Sequence, residues 1–450
     1  MDRTKAARSA PGAGTSSTYL EAPRRNRGSS VRSTAPRRTG AVMSFTLHAT
    51  TARRPGPGAH RPARGGLAAQ LAALVVASLA AALVAWPPVP ARAAIGARRV
   101  AGGLDRPVAF TFDPRGRIWY LEKDTGEVRI LRPGAGDRRF FLVPGVNGEG
   151  ERGTLGIALH PRYPDRPFIY VYATREVGGG LRNQILRLTD LGGRGGRMRV
   201  LFSAPASSSP YHNGGRILFG LDGMLYAVIG DAHDPANAQQ LGDRRGKVLR
   251  MTPSGGVPPD NPLGDRLAYA FGIRNSFGLA FDPRTGALWE TENGPECNDE
   301  LNLILPGENY GWGPSETCAG EGPANTNRDG SSPELPVLWW EVPVAPTGIA
   351  FCDGCRLGAR SEGALFFGAA NTGDVRRVVL NAARDGAIGQ RVVYSHPNPV
   401  LSVEVGPDGR IYFSDFGGIF ALVRRSEPGR TGRPGLRRMT GVHGPRVGVR

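Results

Sequence analysis

Between residues 108 and 423 the chain alternates apolar and polar positions in short runs, and one arrangement recurs six times: an apolar stretch, a turn built on Gly or Pro, then an apolar-aromatic stretch. The copies read VAFTFDPRGRIWYLE from Val108, GIALHPRYPDRPFIYVYA from Gly156, RILFGLDGMLYAVIGD from Arg216, GLAFDPRTGALWETEN from Gly278, TGIAFCDGCRLGARSEGALFFG from Thr347 and SVEVGPDGRIYFSDF from Ser402. Period-2 runs flanking a Pro/Asp-x-Gly turn predict a β-hairpin in each copy. A further run completes many units, as in EVRIL, NQILRL, KVLRM, ELNLI, DVRRVVL and GIFALV, and no long amphipathic helix interrupts them. Six like all-β units predict a six-bladed β-propeller over roughly residues 95–425. A β-sandwich has similar turn spacing but gives no reason for six copies. The units start about 48 to 70 residues apart, more than a minimal blade needs, which leaves long loops able to carry a site.

The flanks read differently. Residues 1–66 are Arg, Ser, Pro, Gly and Ala with few large apolar side chains, too little to bury a core, so a disordered basic extension is expected, with Met43 as an alternative start. LAAQLAALVVASLAAALVAW from Leu67 follows, with Ala91 and Ala93 as an A-x-A site, and residues 67–93 are expected to be a cleaved signal peptide. The alternative is an uncleaved anchor, since the run approaches the ~20 residues that span a bilayer. A short basic tail, 426–450, closes the chain. The formal charge of +18 resides in these flanks: residues 1–99 hold 16 Lys/Arg against 2 acids, 424–450 hold 8 against 1, and the middle holds 33 against 36. A propeller without a net basic excess is not expected to bind nucleic acid. The same reading places the mature protein outside the cytoplasm, extracellular or periplasmic, with no stable membrane insertion. There its four cysteines, Cys297, Cys318, Cys352 and Cys355, favour two disulfides over a zinc site. Three pairings are open, and 297–318 with 352–355 would close two local loops.

Propellers place function on the loops at one mouth of the channel, and three polar stretches fall in such loops. His212 leads into the third unit and Asp231 leaves its second strand. Hairpin ends lie side by side, so the imidazole and the carboxylate can meet, giving a base and the group that orients it. Arg274 and Asn275 stand just ahead of the fourth unit, where a guanidinium can bind a carboxylate or stabilise an oxyanion. Glu292, Glu296, Asp299 and Glu300 crowd around an Asn-Gly-Pro turn, an oxygen-rich setting that suits calcium. Each stretch also has a plainer reading, as a turn histidine, a loop-bracing arginine or a solvated acidic loop.

Taken together, GERGTLGIALHP (150–161), HNGGRILFGLDGMLYAVIGD (212–231), GKVLRMTPSGGVPPDNP (246–262), GIRNSFGLAF (272–281) and ENGPECNDELNLILPGENYGWG (292–313) resemble the soluble PQQ-dependent glucose/sorbosone dehydrogenases, or aldose sugar dehydrogenases. The resemblance spans about residues 100–423. It implies a six-bladed propeller that binds PQQ and calcium and oxidises an aldose sugar at C1, passing electrons to an external acceptor. By motif position His212 resembles the general base, Asp231 its partner, and Arg274 with Asn275 the pair that contacts quinone and substrate. Gly294 and Pro295 resemble the turn whose carbonyls hold the cofactor's calcium, and Asp299, Glu300 and Tyr310 resemble part of a second calcium site. Two departures accompany the match: Asn371 stands where the family's blade-five Lys would fall, and no Arg occurs between Asn398 and Ser402, where an Arg-x-Arg is usual. Arg376, Arg377 and His396 are the neighbouring groups expected to compensate. The competing reading is a non-catalytic, calcium-stabilised propeller that binds a glycan or a protein, with a calcium-dependent lactonase as a third.

Overall fold

A computed structural model describes residues 94–320 and 322–425. The basic extension, the export segment through residue 93 and the tail from 426 lie outside the described residues. Within them, 24 strands form six four-stranded antiparallel sheets. The first blade is β2 (Pro107–Phe112), β3 (Ile118–Glu122), β4 (Glu127–Arg132) and β5 (Gly136–Leu142). The next four blades run from β6 (Thr154–Leu159), β10 (Ile217–Phe219), β14 (Ser276–Phe281) and β18 (Pro346–Phe351). The sixth joins β22 (Ser402–Val405), β23 (Ile411–Ser414) and β24 (Gly418–Arg424) to β1 (Ile95–Gly102) from the far end of the chain. That closure pairs Ile95 with Arg424 and Gly102 with Gly418, around a bulge between Arg99 and Ala101.

The first strands meet in turn, β2 with β6, β6 with β10, β10 with β14, β14 with β18, β18 with β22, and β22 back with β2. The fold is therefore an all-β six-bladed propeller with these strands around the central channel. Its core lies between blades. Trp119, Phe140 and Tyr163 pack edge-to-face with Ile169 and Val171 between the first two, and Trp289, Trp340, Phe351 and Phe367 fill the space between the fourth and fifth. Each such side chain, nearly free of solvent, contributes about 1.5–3 kcal/mol of burial.

All six hairpins lie where the repeats place them. The fourth strand of most blades does not show in the alternation, because it is outermost, with one neighbouring strand and much of its length open to solvent. In β5 the first four residues, Gly136 to Arg139, are exposed, so no buried face imposes a pattern. The disulfides are Cys297–Cys318 and Cys352–Cys355, and no described cysteine is free. Among the described residues helix is limited to α1 (Ala236–Gln239) and one 3-10 turn, and none is long and apolar enough to cross a membrane.

Candidate active site

A cavity of about 810 Å³ opens on the propeller axis. Each blade gives it one residue from its innermost strand or the approach to it: Val108, Leu155, Arg216, Phe277, Thr347 and Leu401. His212, Arg274, Asn275, Gly294, Pro295 and Asp299 also face it, so most of the expected site residues share one space.

The β10–β11 hairpin, with β11 at Leu225–Ile229, brings the first pair together: Ile217 pairs with Ala227, which leaves His212 and Asp231 at the same end. His212 Nδ1 lies 2.7 Å from Asp231 Oδ1. The backbone holds this geometry at some cost, since His212, Ala232 and His233 adopt left-handed φ angles of 59°, 59° and 63°. His212 N–H donates to Glu151 Oε2 at 2.8 Å, and Ala232 N–H donates to the His212 carbonyl at 3.1 Å. Asp231 also accepts from the His233 amide at 2.7 Å and, through Oδ2, from Trp312 Nε1 at 2.8 Å. Burial opposes ionisation of Asp231, but His212, Arg274 and the Trp312 N–H outweigh it and hold its pKa below the ordinary aspartate value. An ionised Asp231 keeps the proton on Nδ1, which leaves the Nε2 lone pair as the imidazole's acceptor.

Arg274 and Asn275 are set by a buried carboxylate that sequence reasoning assigned only to an acidic loop. Glu292 Oε1 accepts both their amides, at 2.6 and 2.7 Å. Arg274 Nη1 donates to the Asn293 carbonyl at 2.8 Å, and its guanidinium lies 5.2 Å from the Trp312 ring centroid. Burial lowers the Arg274 pKa, with Asp231, Glu151 and Glu292 opposing that shift. Asn275 Nδ2 donates to Glu151 Oε2 at 2.9 Å, so Glu151 ties the His212 amide to Asn275. The roles of Glu151 and Trp312 went unread although both lie inside the quoted motifs, GERG and YGWG; only their contacts across blades reveal them.

Around the acidic loop, Gly294 is required because a Cβ there would fall 2.0 Å from the Cys297 carbonyl oxygen. Asp299 organises this turn through Gly294 N–H at 2.9 Å and reaches Val344 and Ala345 N–H at 2.6 and 2.7 Å. Burial pushes its pKa up to about 6 despite those three donors. Glu300 and Tyr310 sit behind the main cavity, with Glu292 and Trp312, around a void of about 10 Å³, room for one water-sized sphere. The Tyr310 hydroxyl is committed to the Leu303 carbonyl at 2.5 Å and the Leu305 amide at 2.8 Å. On β15 (Leu288–Glu292) and β16 (Asp299–Ile304), Glu292 pairs with Glu300 and Glu290 with Asn302. Asn302 Nδ2 bridges Glu290 and Glu300 at 3.1 Å each. Burial, reinforced by the neighbouring acids, raises Glu292 to about 7 and Glu300 to about 8. Buried carboxylates facing one another with only amide donors between them fit a hard cation such as calcium. Among the described residues no three His, Cys, Asp or Glu side chains converge closely enough to hold a metal alone, so such an ion would also draw on backbone carbonyls.

The expected compensating groups are corrected by the structure. Arg376 pairs with Asp374, Arg377 donates to Ser361 Oγ, and His396 Nε2 meets Asp415, and none of the three faces the cavity. Packing within blades five and six holds them elsewhere. Asn371 does face it, bound through Nδ2 to the Pro343 carbonyl at 3.0 Å. The cavity's cations come instead from other blades: Lys123, Arg216 and Arg274. Three cations and a buried Arg274 Nε without an acceptor fit a polyanionic ligand with several carboxylates, as PQQ is.

The six-bladed propeller is that of the sugar dehydrogenase class. Residues 104–418 match the family model Glucose / Sorbosone dehydrogenase, and the chain belongs to that family. It is 30% identical over 339 residues to Aldose sugar dehydrogenase YliI of Escherichia coli (strain K12), covering 69% of this chain and 86% of the relative. Among solved structures it is similar to the PQQ-bound aldose sugar dehydrogenase of Streptomyces coelicolor, at 30% identity and a TM-score of 0.63 over 74% of this chain and 98% of that one. The apo-form soluble aldose sugar dehydrogenase of Escherichia coli aligns at 28% identity and a TM-score of 0.65, covering 74% of this chain and all of the other. Family and neighbours together make the chain an oxidoreductase of the sugar dehydrogenase type.

Proposed function

We propose that the chain is an exported quinoprotein that oxidises aldose sugars at C1 and delivers the electrons, through PQQ, to an external acceptor. The observation that carries this reading is the His212–Asp231 pair, 2.7 Å apart, with His212 facing the same cavity as Arg274. The C1 hydroxyl of the sugar donates its proton to His212 Nε2, and Asp231 stabilises the imidazolium that forms. Arg274, beside them, stabilises the negative charge that develops on the oxygen. PQQ, when bound, supplies the two-electron acceptor for the hydride leaving C1. Loss of that proton and hydride converts the cyclic aldose to its lactone.

Asn275, with Arg274, would contact the quinone side of such a ligand, and the Gly294 and Pro295 carbonyls would hold its calcium. Asp299, which also shapes that turn, would join Glu300 and Tyr310 in holding a second calcium among the buried acids. The two disulfides suit an oxidising compartment, in keeping with export and a mature N-terminus near Ala94. Calorimetric titration of the calcium-loaded apoprotein with PQQ tests the reading. Saturable binding followed by aldose oxidation supports it; no binding leaves the non-catalytic propeller in its place.

A further inference from the structure

Arg216 and Glu404 meet across the channel. Arg216 leads into β10 of the third blade, Glu404 lies on β22 of the sixth, and in a ring of six these blades are opposite. Arg216 Nη1 is 3.5 Å from Glu404 Oε1, and Nε donates to the Phe277 carbonyl at 3.0 Å. The arginine side chain is 7% exposed and that of the glutamate 31%. A well-made guanidinium–carboxylate bond closes at about 2.7–2.9 Å and is often two-pronged, so this pair is loose. A guanidinium carries five N–H donors and does not lose its proton, yet among the described residues Arg216 meets only these two partners. Lys123 is held more tightly, its Nζ 2.6 Å from both Asp124 Oδ1 and the Gly148 carbonyl, while Arg274 donates from Nη1 to the Asn293 carbonyl at 2.8 Å and keeps a free Nε. Arg216 is thus a cation in the cavity wall, central in the ring, with donors to spare.

We propose that Arg216 is the anchor for a carboxylate of the bound cofactor, and that Glu404 is a built-in competitor which that carboxylate displaces. The inference rests on the quinoprotein reading and adds to it the residue that supplies a cation which blades five and six lack. It makes affinity the outcome of an exchange: the ligand's carboxylate must offer Arg216 a better pair than Glu404 does. The two side chains therefore act on binding with opposite signs.

The test is the Kd of PQQ for calcium-loaded apoprotein, read by calorimetry, in Arg216→Gln, Arg216→Lys, Glu404→Gln and the double variant Arg216→Gln/Glu404→Gln. Thermal melts check that each is folded. Arg216→Gln weakens binding by about tenfold or more, the scale of one charge-assisted bond, and Arg216→Lys weakens it less. Glu404→Gln tightens binding several-fold, and the double variant binds as weakly as Arg216→Gln, which separates loss of the anchor from the strain of an unpaired Glu404. If wild type binds PQQ but both single variants leave Kd unchanged, or shift it in the same direction, the exchange is wrong and the functional reading stands. If wild type binds no PQQ, both fall.

Discussion

Asp231 Oδ1 lies 2.7 Å from His212 Nδ1, and the second oxygen of the same carboxylate is held by Trp312 Nε1 at 2.8 Å. The carboxylate is thus fixed from both sides before any substrate arrives. This preorganisation keeps the imidazole in one tautomer and one orientation.

His212→Gln is expected to keep the fold while cutting aldose turnover by about 10² or more, with PQQ affinity little changed. Asp231→Asn should lose comparable activity by releasing the Nδ1 proton from its acceptor. Steady-state rates with an artificial acceptor, beside a PQQ titration, separate the base from a residue that only binds cofactor.

Glu292 accepts two amides that have no other acceptor at hand, those of Arg274 and Asn275. Glu292→Ala leaves both without it and should destabilise the protein by about 2 kcal/mol or more, whereas Glu292→Gln, which keeps an oxygen there, should cost less. Urea unfolding curves of the two variants check the difference.

Removal of calcium should lower the melting temperature, because an ion bound only by the folded state adds stability by mass action. The acid ladder of Glu290, Glu292 and Glu300 accounts for the sensitivity, since burial raises each carboxyl. An identical melting curve in excess chelator, with metal loss confirmed by elemental measurement, would count against any structural calcium.

The depressed pKa of Asp231 gives a pH dependence with a definite sign. Its folded value lies below the ordinary 3.8, so its contribution to stability is present above that pH and is lost as pH falls through the folded value. The stability gap between wild type and Asp231→Asn should be widest near neutral pH and close progressively in acid, below about pH 4. Chemical denaturation across that range measures it.

The hairpins, the third strands and both disulfides were legible because each depends on local pattern: alternation, a turn residue or a short spacing. His212 with Asp231 was legible for the same reason, as the two ends of one hairpin. Glu151, Trp312 and Arg216 were not. Glu151 reaches Asn275 from 124 residues away and Trp312 reaches Asp231 from 81, distances at which only the closed ring decides who meets whom. The cations expected beside Asn371, in blades five and six, miss the cavity for the same reason, while Arg216 faces it from the third blade.

The central claim is that this cavity removes a hydride from C1 of an aldose while His212 takes the hydroxyl proton. Single-turnover reduction of PQQ bound to the calcium-loaded protein, followed by absorbance with glucose carrying either hydrogen or deuterium at C1, tests it most directly. The account predicts that the bound cofactor is reduced, that deuterium at C1 slows the reduction, and that His212→Gln slows it by about 10² or more. A cofactor that stays oxidised, or one reduced equally fast with both sugars and in the His212→Gln protein, would contradict it.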